Sequence, residues 1–291
     1  MFRLPIFTVL ALLTVHGANP SVGDDRLPTP IEEAVEKADA AEVKRLLAID
    51  PESVKKTFGD DGTLLHVAVV LGHKEIAELL LAKGADPNAA NADGHTALHQ
   101  AAEYGRLEIA NMLVEKGASV SAGKDRGCTP LHIAVMNGWV EVAAWLIEHG
   151  SPLGVENQRG QSELHFAVHC RNAAEMIKLL ATKGANVNHR DCDGYSPLHL
   201  SLLGENAVAT VATLLTAGAD PNARNKTGNT PLCRTLGSTA MVELLLDNGA
   251  EENGLIPPGR SEGMASRRRE DSARQKCAGH CQGPEGCATA R

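Results

Sequence analysis

A near-copy of one tetrapeptide recurs along this chain at a fixed interval. Thr63-Leu64-Leu65-His66, Thr96-Ala97-Leu98-His99, Thr129-Pro130-Leu131-His132, Ser162-Glu163-Leu164-His165 and Ser196-Pro197-Leu198-His199 follow one another at steps of 33 or 34 residues, and Thr230-Pro231-Leu232-Cys233 comes 34 residues later. A period of this length argues against one globular core. Each copy belongs to a supersecondary unit that buries its apolar face only by stacking on its neighbours. The 291 residues are therefore expected to form a linear array, and length alone does not set a domain count.

Residues 125–157 show how one unit is written. Asp125-Arg126-Gly127 is turn chemistry, with glycine free to adopt positive φ. Thr129 suits a helix N-cap, and Pro130 suits the first helical position. Leu131, Ala134 and Val135 give a short apolar-faced helix that ends near Asn137-Gly138. A second helix is predicted over residues 140–148, burying Val142, Ala143, Leu146 and Ile147. Neither helix is long enough to persist alone in water.

This pattern resembles the ankyrin repeat: G-x-T-P-L-H, a helix, a glycine, a second helix opening on Glu, then G-A-D-x-N and a turn. Residues 91–121 and 124–153 match it best, and the endings at 84–88, 184–188 and 218–222 fit closely. The resemblance covers about residues 28–250. It implies an all-α solenoid of about seven helix-turn-helix units with β-hairpin tips. Residues 28–58 read as a degenerate N-terminal capping repeat, with helices at 31–38 and 41–49 and polar Glu32, Glu33, Glu36 and Lys37 facing water. Six repeats follow over 59–250. The fifth unit has Arg171-Asn172 where the inter-helix glycine is expected, the sixth has an extra residue near Gly204-Glu205-Asn206, and the last is shortened.

The two ends read differently. Arg3, the apolar run 4–15 and the small residues around His16-Gly17-Ala18 suggest a signal peptide over 1–18, followed by a linker at 19–27. The apolar run is too short to span a bilayer comfortably. Export is the expected localisation: periplasmic if the source is bacterial, secreted if it is eukaryotic. Residues 251–291 form a Gly-, Pro-, Ser- and Arg-rich tail that holds Cys277, His280, Cys281 and Cys287. It reads as disordered, as a disulfide-linked segment or as a soft-metal site. The array cysteines Cys128, Cys170, Cys192 and Cys233 read as isolated thiols, because Cys128 and Cys192 lie two stacking steps apart, roughly 20 Å.

The recurring histidines have a structural explanation: each can bond the capping hydroxyl and nearby backbone, and successive units stand too far apart to share a metal. Glu75, Glu108, Glu141 and Glu175 open second helices, where an acid complements the helix dipole. No nucleophile elbow, phosphate loop or zinc-protease helix is present, so no catalytic residue, cofactor or array metal is expected. The net charge of −8 argues against nucleic acid as a general partner.

The resemblance points to a non-enzymatic, monomeric scaffold that holds a protein partner on a concave face of hairpin tips and first helices. The positions it assigns there include His95, Glu103, Tyr104, Arg126, Met136, Asn137, Arg159, His169, Tyr195 and Leu203, with Trp139 added for its size. Trp139 has a second reading, as a cover for a helix end. Two other functions are open to such a chain: accessory docking on a periplasmic or secreted enzyme, and a metal or redox role through the tail. No membrane contact is expected apart from the signal segment. Asn225-Lys226-Thr227 is a glycosylation sequon.

Overall fold

The computed structural model describes residues 29–123, 127–202, 207–235 and 238–251. The readings made for 1–18, 19–27 and the tail from residue 252 lie outside those residues, as do Arg126 and Leu203.

The described chain is a succession of antiparallel helix pairs: α1 (Pro30–Glu36) with α2 (Ala40–Ile49), α3 (Leu64–Leu71) with α4 (Lys74–Ala82), α5 (Ala97–Glu103) with α6 (Leu107–Glu115), and α7 (Pro130–Asn137) with α8 (Val140–Glu148). Then come α9 (Glu163–Ala167) with α10 (Ala173–Thr182) and α11 (Pro197–Leu200) with α12 (Ala207–Thr216). A final 3₁₀ turn, Pro231–Arg234, packs with α13 (Thr239–Asp247). No described helix is long and apolar enough to cross a membrane.

The second helix of each pair buries one stripe, such as Ile76, Ala77 and Leu80 on α4 or Met176, Ile177 and Leu180 on α10. That is the spacing of a helix with one face to a core and the other to water. The first helix is buried nearly all round: on α5 every residue from Ala97 to Ala102 is inaccessible. First helices therefore form the inner row. They also shorten along the chain. Where Gly72 or Gly138 takes the left-handed conformation (φ 77° and 74°), the first helix keeps 8 residues. The fifth unit has no such glycine at the helix end, and α9 stops after 5 residues.

Three recurring sets of side chains tie units to their neighbours, each at some of the junctions. In the first, the backbone N–H of the capping Thr or Ser donates to histidine Nδ1 at 3.1–3.2 Å in His66, His99, His132, His165 and His199. An accepting Nδ1 leaves the ring proton on Nε2. His66, His99, His165 and His199 donate that proton to the carbonyls of His95, Cys128, Tyr195 and Asn229, at 3.0–3.2 Å. In the second set, Asn88, Asn188 and Asn222 donate through Nδ2 to the carbonyls of Gly117, Gly218 and Gly249 at 2.8–3.0 Å. Their Oδ1 atoms accept from the N–H of Ser119, Asp220 and Glu251 at 2.8 Å. In the third set, a residue that opens the second helix reaches back one unit. Trp139 Nε1 donates to Glu103 O (2.9 Å), Asn172 Nδ2 to Gly138 O (3.0 Å), and Arg106 Nη2 lies 3.5 Å from Val70 O.

Candidate partner-binding surface

The segments joining the units are tight turns more than hairpins; among the described residues the only strand-like pairings are the single bridges Thr57–Thr63 and Ala90–Thr96. Four of these turns are organised by an Asn or Asp whose Oδ1 caps the next few amides. Asn91 accepts from Asp93 and His95, Asn157 from Arg159 and Gln161, Asp191 from Asp193 and Tyr195, and Asn225 from Thr227 and Asn229, all at 2.8–3.1 Å. A glycine at positive φ closes each loop, as Gly194 does at 78°. Adjacent tips are joined through backbone, Cys192 N–H to Arg159 O at 2.8 Å and Lys226 N–H to Asp193 O at 3.0 Å. The tips therefore project fixed side chains from a rigid turn. Asp93, Arg159 and Lys226 stand exposed there.

This accounting changes the reading of Asn225. Its side chain is only 5% exposed and its Oδ1 also takes the Thr227 hydroxyl at 2.8 Å. It is a turn-forming residue, and its amide is not presented for glycosylation.

The sequence-assigned residues fall into two groups. Arg159 and His169 are exposed, and Tyr104, Met136 and Glu103 are half-buried at the end of the first-helix row. Asn137 is half-buried and turns back on its own helix, donating to Ile133 O at 2.9 Å. The others are committed to packing. His95 stacks on His99, ring centroids 5.5 Å apart. Tyr195 lies edge-on to His199 at 5.8 Å and under the Arg234 guanidinium at 4.9 Å. Trp139 lies against Gly105, where an added Cβ would come within 2.6 Å of its ring, and carries Arg171 at 5.3 Å on its ring. The structure thus gives Trp139 the role of a clamp across three units. Tyr104 and Tyr195 sit three units apart, about 30 Å at the usual spacing of packed helices. The large residues do not form one cluster.

The sequence reading passed over Glu163, which stands where Pro130, Pro197 and Pro231 stand in other units. Its carboxylate is completely buried. Oε2 accepts from the Gly154 N–H at 3.0 Å, while Oε1 has no hydrogen-bond partner and lies 3.9 Å from His132 Nε2. That nitrogen also lacks a partner, unlike its counterparts in His66, His99, His165 and His199. Burial raises the Glu163 carboxyl above the usual range, against the pull of nearby backbone N–H groups and of His189. Burial lowers His132 from 6.5 to about 4. The signal was available as the one acidic residue in a column of small, apolar or proline residues.

Chemistry is sparse elsewhere. Cys128, Cys170, Cys192 and Cys233 form no disulfide, and burial raises Cys170 above the ordinary thiol range. No group of His, Cys, Asp and Glu among the described residues is arranged to hold a metal ion.

Comparison with known proteins places these features. Residues 7–91, 31–124, 120–191 and 164–255 match the family model for ankyrin repeats (3 copies). Ankyrin repeat domain-containing protein 13C of Danio rerio is 35% identical over 80 residues, which is 28% of this chain and 16% of that relative's length. The ankyrin repeat domain of Bcl-3, titled a unique member of the IkappaB protein family, superposes with a TM-score of 0.64 at 30% identity, covering 75% of this chain and 98% of that one. The human ASB11 ankyrin repeat domain superposes at 0.67 with 26% identity, covering 77% and 99%.

Proposed function

This chain belongs to the ankyrin-repeat family, whose repeats are in general protein–protein interaction domains, and we propose that it is a non-enzymatic scaffold holding a protein partner across its turn tips and first-helix ends. One observation carries this reading. The recurring polar side chains are spent inside the array: His on the next unit's carbonyl, Asn on the next unit's backbone, turn Asn and Asp on their own amides. The residues that differ from unit to unit are left outside, with Asp93, Arg159, His169 and Lys226 exposed. A rigid frame carrying variable exposed side chains suits recognition, and charged tips set register and on-rate more than raw affinity.

The test uses the tips, because Tyr195 and Trp139 are engaged in packing and their removal would confound binding with folding. The full-length protein and a triple variant, Asp93→Ala, Arg159→Ala and Lys226→Ala, are expressed in the native compartment as proximity-labelling fusions. Among the described residues the side chains removed make no hydrogen bond, so unfolding curves should coincide. Loss of the same labelled proteins from the variant is the expected result; identical labelling at equal yield would refute the surface. The export proposed for residues 1–18 is checked by the N-terminal sequence of the protein recovered from that compartment.

A further inference from the structure

The junction between the fourth and fifth units lacks two of the recurring ties, as does the one after the first unit, which carries neither histidine nor asparagine; the third–fourth junction, with Ser121 in the asparagine column, lacks one. At the fourth–fifth junction the histidine tie is loose, since His132 Nε2 makes no well-formed hydrogen bond and feels only the nearby Val155 backbone. Its asparagine tie is missing, since Gly154 stands where Asn88, Asn188 and Asn222 make theirs. What remains is Asn172 on Gly138 O, the Gly154 N–H on Glu163 Oε2, the exposed Lys183–Glu148 pair at 3.2 Å, Arg171 on the Trp139 ring, and apolar packing that includes Phe166 edge-on to His132 at 5.5 Å. Into this weakened interface the chain places a buried carboxyl, whose free oxygen faces the free ring nitrogen at 3.9 Å, beyond hydrogen-bond reach.

We propose that this junction is a proton-controlled joint, closed with Glu163 protonated and His132 neutral, and loosened when Glu163 loses its proton or His132 gains one. The reason is solvation. An ionised carboxylate with one unpaired oxygen in a dry interface gains its missing hydrogen bonds only by meeting water, and a buried imidazolium does the same. Opening the junction hydrates both.

The surrounding titratable groups do not cancel this. On the α5 side, His99 is bonded to Cys128 O at 3.2 Å. On α9, His165 is bonded to Tyr195 O at 3.0 Å. Glu156, from the segment leading to the tip, is half-satisfied by His189, whose Nε2 lies 3.3 Å away and also 3.1 Å from Gly160 O. Asp191 is held in its own turn. His189 draws the Glu163 carboxyl downward, in opposition to the larger effect of burial.

The joint is distinguished by the sign of its response. A junction closed by a neutral buried histidine alone tightens as pH rises and then stays tight; His66 and His199, both lowered by burial, close junctions of that kind. The fourth–fifth junction carries an opposing contribution as well, because burial raises Glu163 where it lowers the histidines. On the acid side, a fall of His132 from 6.5 to about 4 multiplies the opening constant by about 300 across that range. In the opposite sense, opening grows by up to about tenfold per pH unit while Glu163 is ionised in the open joint and still protonated in the closed one, and levels off once it is ionised in both.

Amide hydrogen exchange on the full-length protein reads this directly, with rates corrected for intrinsic exchange and α5 and α12 as internal references. Relative to those references, wild-type α9 should open more readily than the Glu163→Gln variant at the alkaline end and more readily than the His132→Gln variant at the acid end. Glu163→Gln should abolish the alkaline limb, and Glu163→Pro, which restores the residue used by Pro130 and Pro197, should abolish it as well. His132→Gln should flatten most of the acid limb, leaving the share that His165 contributes. Wild-type α9 opening equal to that of Glu163→Gln at the alkaline end, or an alkaline limb that survives in either Glu163 variant, overturns the proposal.

Discussion

The clamp formed by Trp139 and Gly105 yields a coupling that can be worked out in advance. Gly105 has φ of 65°, and a Cβ added to it would fall 2.6, 2.8 and 2.9 Å from the Cδ2, Cε2 and Cε3 atoms of the indole. Gly105→Ala therefore carries two costs: about 1 kcal/mol for an L-residue at positive φ, and about 1–3 kcal/mol for overpacking against a ring that cannot retreat. The ring is held by its Nε1–H bond to Glu103 O at 2.9 Å and by Arg171 on its face. Trp139→Ala loses that bond, about 1 kcal/mol, and half-buried ring packing worth about 2 kcal/mol. In the Trp139→Ala background the overpacking cost vanishes and only the backbone cost remains. The double variant should then sit about 4 kcal/mol below wild type, where the single losses add to about 5–7 kcal/mol. Urea unfolding of the four proteins, followed by circular dichroism because the indole is itself removed, gives the cycle. Additivity within about 0.5 kcal/mol would show that the ring and the glycine are not in contact, and the clamp would have to be abandoned.

Other expectations are simpler to test. Burial lowers His132 to about 4 and also lowers His66, His165 and His199, so the unfolded chain takes up protons first as pH falls. The stability due to His132 is complete above about pH 6.5 and is lost as pH falls to about 4, a span worth on the order of 3 kcal/mol. Urea midpoints that hold constant between pH 7 and 4.5 would contradict this. Asn188→Ala removes two hydrogen bonds to the sixth unit from an exposed position and should cost about 1 kcal/mol, whereas Ser121→Ala, at the equivalent place without such bonds, should be neutral in the same denaturation assay. Expression in a glycosylating secretory host should leave Asn225 unmodified by mass spectrometry. Asn225→Ala should lower the unfolding midpoint by an amount equivalent to about 1–2 kcal/mol, because it strips a buried turn of its acceptor.

The fold was legible because its grammar is local and repeated. A Thr or Ser before the first helix, a glycine after it and an apolar stripe on the second are each visible within a dozen residues. The helix predicted over 140–148 is α8 to the residue. The histidine tie was also legible, since a residue that recurs every 33 or 34 positions without a chemical partner nearby is scaffold. The asparagine tie followed the same column rule through Asn88, Asn188 and Asn222, but its partner lies in the next unit, about 30 residues away, and no local pattern announces it. Trp139 shows the opposite difficulty. A large aromatic side chain at a unit boundary satisfies the composition of a binding surface and of a packing clamp equally well. Only the position of Gly105 decides between them. Glu163 was hidden by its company: it opens a helix, where acids are common, and its burial depends on how the fourth unit stacks above it.

Every tie described above runs from one unit to the next and none skips a unit. The array is thus a set of links in series. A load applied between its ends would pass undivided through each junction, and the weakest would part first while the rest held their shape. In such a chain, strength is a property of single junctions. The junction beneath Gly154 and the one after the first unit, each short of two fastenings, are where this molecule would yield.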